Sequence, residues 1–225
     1  MIWMLLFPKT YWPRNTLKEP SVTLTDYLLT IECGLFAWWL FDISSAHVTL
    51  QSYFVGIFAA LAIAALFGGT VHGFFPVETS LGYRILWPST MLAVGAAAYC
   101  AWGIGAYLLF AAATANWIML AAGIFLLVYS VTVLFFFRDF SIAIIHYLPA
   151  VLFAAAAFAV LAVRQMHWAP ALGFLGLVAT VIAAFLQARQ VAVHPVYFDH
   201  NALYHLIQAA ALVLVYLSAR TIVAV

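Results

Sequence analysis

Seven apolar stretches, each about as long as a bilayer is thick, fill almost the whole chain and constrain its fold more than any motif does. An α-helix rises about 1.5 Å per residue, so roughly 20 apolar residues traverse the hydrocarbon core. The stretches fall at residues 23–43, 48–74, 85–110, 115–137, 141–163, 168–188 and 202–219. They leave no room for a separate soluble domain. A chain that is 68% hydrophobic and 7% charged lies far outside the range of a water-soluble core. The segments are apolar on every side instead of alternating with a period of two, which argues against a transmembrane barrel. The expected fold is therefore all-α, a polytopic seven-transmembrane-helix bundle over residues 23–225, preceded by an interfacial segment over residues 1–22.

In that first segment, Trp3, Phe7, Tyr11 and Trp12 are interleaved with Lys9 and Arg14, the aromatic and basic mixture of a membrane interface. Its apolar run over residues 1–7 is too short to span and has no positively charged lead of the kind a signal peptide carries. The net charge of +1 provides no polybasic surface, so membrane lipids and not nucleic acid are the expected partners. Cys33 and Cys100 fall inside spans and read as small buried thiols, not as a disulfide. Gly68-Gly69 and the Gly103/Gly105 pair mark tight helix crossings or kinks. Thr23 and Asp26 read as first-turn residues of span one, and Pro88 as a first-turn residue of span three.

The cations are unevenly divided. With alternating spans, Lys9, Arg14, Lys18, Arg84, Arg138 and Arg189 fall on the side of the N-terminus, while Arg164 and Arg220 fall on the other. The positive-inside rule then places the N-terminus in the cytoplasm and the C-terminus outside or in a lumen.

Ionisable side chains are expensive inside a bilayer, and those present are functional suspects for that reason. Glu32, His72, Glu78, His146, Asp199, His200 and His205 gather near the N-terminal face. The sharpest local signal is the stretch at residues 198–207, FDHNALYHLI, with Asp199 placed to cap the seventh helix. On a regular helix, Asn201 and His205 are about 40° apart, whereas His200 and His205 are about 140° apart. His200 joins a common site only by preceding the helix and swinging over its end. His72, at the end of span two, reaches the matching depth. Such a set suits zinc, which takes three or four ligands and keeps one position open to water when catalytic, with a nearby carboxylate to receive a proton. The plainer reading is interhelical hydrogen bonding by the same histidines. Glu32 is expected to pair with a His or hydroxyl of a neighbouring helix. Arg138-Asp139 reads as a loop ion pair, and His47, His167 and His194 as loop residues. Pro149 leaves the carbonyl of Ile145 without its helical donor beside His146.

On these residues the chain resembles the superfamily of alkaline ceramidases and progestin/adiponectin-type receptors, seven-helix membrane proteins that include zinc-dependent lipid amidases. His72 matches the histidine at the end of the family's helix two, and His205 the second histidine of its HxxxH pair opening helix seven. Asn201 stands at the first histidine of that pair, and Gly68 stands where the family has a serine. Thr70 lies on the wrong face to replace that serine, and Glu78 lies closer to His72 than the family's aspartate does. The resemblance implies a metal-dependent hydrolase of a lipid amide or ester, with His72 and His205 as core zinc ligands; His200 would join as an auxiliary ligand and Glu78 or Asp199 serve as general base. It equally admits a non-enzymatic receptor or lipid-binding relative with a metal-free His, Asn and Glu cluster. A small-solute transporter using Glu32 and the histidines as a relay is a third reading, against which the apolar far half of the bundle speaks.

Overall fold

The computed structural model describes residues 17–194 and 198–224, and among them the chain is all helical. The helices are α1 (Pro20–Phe41), α2 (Val48–Phe74), α3 (Leu81–Leu109), α4 (Ala112–Phe135), α5 (Phe140–Gln165), α6 (Trp168–Ala188) and α7 (His200–Val223). Most of the expected interfacial segment lies outside the described residues. Six of these helices, α2 to α7, are long and apolar enough to cross a membrane. The protein is a multi-pass membrane protein built as an all-α bundle. α1, which carries Asp26 and Glu32, is not among the six.

Helix starts follow side-chain chemistry. Asp199 Oδ1 accepts from the Ala202 amide at 2.9 Å and Ser80 Oγ from the Tyr83 amide at 3.2 Å, each supplying a partner for one of the orphan donors of a first turn. The Asp139 carboxylate makes no ion pair with Arg138; its Oδ1 accepts from the Ser141 amide at 2.8 Å and caps α5. Local geometry wins there because a neighbouring backbone donor is already fixed in place, whereas a flexible guanidinium must give up its rotamer freedom. At the other end of α1, Gln51 Nε2 donates to the carbonyls of Leu40 and Ile43 at 2.8 and 2.6 Å, so α2 terminates its predecessor. α3 begins a turn earlier than the apolar pattern indicates, which puts Pro88 inside the helix and leaves the Arg84 carbonyl without its helical donor.

Around the bundle axis the order of packing is α1, α2, α3, α5, α6, α7 and back to α1, with α4 strapped to the outside of α3. α4 accordingly exposes Trp117, Leu120, Ile124, Leu127, Val128 and Val131. In water so large an apolar face would drive association; against lipid tails it is an ordinary solvent face. Helices in a bilayer gain little from hydrophobic burial against one another, so close packing of small residues holds them together. At Gly69 a Cβ would meet the Cβ of Asp26 at 2.7 Å, and at Gly176 one would meet the Ala211 carbonyl oxygen at 2.7 Å. These contacts bring α2 onto α1 and α6 onto α7.

The far half of the bundle is solidly packed. Phe36 on α1 stacks on Tyr216 of α7 with centroids 4.3 Å apart, and Phe54, Phe58 and Phe158 fill the space beside them. The near half, built from the start of α1, α3, α5 and α7 and the ends of α2 and α6, is hollow.

Candidate functional site

Asp26, His72 and His205 meet in that hollow, a cavity of about 360 Å³ lined by every helix except α4. Most of its wall is apolar, with Leu29, Leu61, Val94, Leu148, Val151 and Leu212 running toward the packed half. Its polar groups also include Tyr147, Thr180, Gln187, Asn201, Tyr204 and Gln208.

Asp26 is two turns into α1, not at its start, and only 5% exposed. Its Oδ1 lies 3.3 Å from His205 Nε2. The other ring nitrogen, Nδ1, lies 3.1 Å from Thr25 Oγ1, so adjacent residues of α1 hold both edges of the imidazole. Thr25 has a single hydroxyl proton and is also 2.9 Å from the Ser21 carbonyl and 3.0 Å from that of Val22. If the hydroxyl donates to Nδ1, the imidazole keeps its proton on Nε2, beside the Asp26 carboxylate at ion-pair distance. If the hydroxyl donates to its own helix, Nδ1–H donates to Thr25 and Nε2 is the acceptor nitrogen of a neutral ring. In either arrangement Thr25 occupies Nδ1, and Nε2 lies beside Asp26.

His72 is held differently. Its Nδ1 donates to Glu19 Oε2 at 2.7 Å, a charge-assisted distance. Glu19 precedes the first turn of α1, and the His72 hydrogen bond holds its carboxyl below the usual carboxylate range. The two histidines thus share a cavity, but each has its own carboxylate. Nothing in a linear reading separates Glu19 and Asp26 from ordinary interfacial charge and helix-start residues. Only the crossing of α1 over α2 and α7 brings them to the histidines.

Of the other candidates, Asp199 and His200 at the start of α7 lie within electrostatic range of His72 and Glu19 respectively. Glu78 is exposed in the turn between α2 and α3, and Asp199 caps α7. His200 is the first residue of α7 and half-buried. Asn201 Oδ1 accepts from Gln187 Nε2 at 2.9 Å. His146 is buried between Tyr129, on which it stacks at 4.1 Å, and Phe125, and does not line the cavity. Glu32 does not find the partner expected of it. Its Oε2 is buried without a hydrogen bond, beside a separate groove between α1 and α7 that includes Leu28 and Trp39.

Among the described residues no three His, Cys, Asp or Glu side chains converge so that they could hold a metal ion. His205 Nδ1 is taken up by Thr25, and Asn201 Oδ1 by Gln187.

A family profile described as a family of unknown function (DUF6962) matches residues 21–223. The chain belongs to that family. The match covers every helix and the whole cavity, so the site belongs to the DUF6962 domain itself and not to an appendage. No curated protein and no solved structure matches the chain.

Proposed function

We propose that this DUF6962 protein is a lipid-binding membrane protein that holds one single-chain amphiphile in its cavity, the head against Asp26, His72 and His205 and the chain along the apolar wall. The observation that carries this reading is the lining of the cavity: about 360 Å³ of space, apolar over most of its wall, with Asp26, His72 and His205 in the same lining. That volume lies within the range of small-molecule sites, roughly 300–1,000 Å³. The solid packing beyond Phe54 and Phe58 favours binding over passage through the bundle. In this reading α1 is the seventh crossing, its two carboxylates tolerated because one is paired and the other sits in a groove. The cation count supports a cytoplasmic N-terminus and places the cavity in the cytoplasmic half.

The test is native mass spectrometry of the protein released from nanodiscs, with an Ala184→Trp variant whose indole fills the cavity. We expect wild type to retain one amphiphile that the variant lacks while keeping its melting temperature. A wild type that carries nothing the variant lacks, and that no added amphiphile stabilises, would sink the reading.

The resemblance to zinc-dependent lipid amidases supports a second reading, favoured by the placing of His72 and His205 on one cavity wall. It requires a third ligand, for which His200 is the nearest imidazole on α7. Elemental analysis before and after chelation decides it. Near-stoichiometric zinc, reduced in His200→Ala and His205→Ala and raised in Asn201→His, would put the hydrolase first.

A further inference from the structure

An anionic head group would find neither Lys nor Arg among the described lining residues, and His72, a candidate cation there, is already paired with Glu19. What the lining offers instead is unspent acceptor capacity. Asp26 is a buried carboxylate that accepts no hydrogen bond among the described residues; His205 Nε2 lies 3.3 Å from its Oδ1, longer than the usual 2.7–2.9 Å of a tight charged pair. Gln208, one turn along α7 from His205, is 5% exposed, and its Oε1 is buried with no partner. Tyr147 and Tyr204 line the same space, with Tyr204 in electrostatic range of Asp26, and their hydroxyls can accept as well as donate.

Resting on the amphiphile-binding reading above, we propose that the head group held here is a primary ammonium, so that the ligand is a long-chain amine. An ammonium carries three donors and no acceptor, the complement of a carboxylate, an orphaned amide oxygen and phenols. It also supplies a cation for Asp26 itself, since the nearby His72 is hydrogen-bonded to Glu19. A phosphate or carboxylate head brings acceptors to acceptors and a second negative charge to the first. An alcohol brings one donor and leaves the carboxylate uncompensated. A simple alkyl amine, like the lysine side chain with its pKa near ~10.4, enters charged at neutral pH.

The experiment measures binding of dodecylamine, dodecanol and dodecyl phosphate at pH 7 to the full chain in nanodiscs of zwitterionic lipid, by calorimetry. The filled-cavity variant Ala184→Trp supplies the partitioning background for each probe. Wild type is expected to bind dodecylamine about tenfold tighter than dodecanol and about 100-fold tighter than dodecyl phosphate. Asp26→Asn should remove the preference for amine over alcohol while leaving dodecanol binding in place, and Gln208→Leu should weaken the amine alone. Both variants are first checked for a wild-type melting temperature, and because the two substitutions are on different helices, either one alone can carry the test. Equal binding of amine and alcohol by wild type, or a preference for amine that survives both substitutions, overturns the proposal and leaves the amphiphile reading standing. No binding above the Ala184→Trp background for any probe overturns both.

Discussion

The carboxylate of Asp26 on α1 and the Nε2 of His205 on α7 lie 3.3 Å apart, and Thr25, next to Asp26, meets the opposite edge of the same imidazole at 3.1 Å. The first and last helices therefore meet in the cavity lining at one ring, hydrogen-bonded to Thr25 on one edge and beside the Asp26 carboxylate on the other. A double-mutant cycle of Asp26→Asn and His205→Gln, followed by reversible denaturation in detergent, should give a coupling of about 0.5–3 kcal/mol, the range for residues in contact. Additive losses would mean that the ring and the carboxylate are merely neighbours.

Glu19 and His72 make the second pair, and its pH signature differs because Glu19 lies outside the membrane helices. The His72 hydrogen bond lowers the folded-state pKa of Glu19 below the unfolded value, which is near 4.5. A depressed carboxylate contributes stability that is full above the unfolded pKa and is lost as pH falls through the folded one. Melting temperature should therefore drop as pH is lowered through and below 4.5, and Glu19→Gln should flatten that acid limb. An unchanged acid limb in the variant would show that the pair does not couple to folding.

Gly69 is a packing residue. Its missing Cβ would sit 2.7 Å from the Asp26 Cβ, both atoms fixed to helix backbone, so Gly69→Ala must part α1 from α2. A cost of about 1–3 kcal/mol is expected, as for other overpacked sites. Gly34, on the same α1, has nothing within 4 Å of its Cβ position, and Gly34→Ala should be neutral or stabilising. Chemical denaturation of the two variants side by side checks the contrast.

Topology is open to reporter fusions. A cytoplasmic N-terminus with an external C-terminus is expected if α1 crosses along with α2 to α7. Reporters that place both termini on one side would leave α1 lying against the membrane and remove the seventh span.

The linear pattern by itself determined the bundle. Apolar length needs no tertiary information, because a bilayer requires each crossing segment to satisfy its own backbone hydrogen bonds. The limits of α2 and α6 at residues 48–74 and 168–188, the cap at Asp199 and the free thiols Cys33 and Cys100 all follow from local chemistry. His72 and His205 were legible as a pair because depth along a helix can be counted in residues. What each histidine touches depended on which helices cross. Asp26 reads as a helix-start residue until Gly69 lets α2 settle against it, and Glu19, which carries no signal in the sequence, is brought to His72 only by the placing of α1. Glu32 shows the converse: depth alone predicts a partner, but where it emerges from α1 its buried Oε2 has none among the described residues. Side-chain partners across helices are set by rotation about each axis and by crossing angle, and neither is encoded in a count of apolar residues.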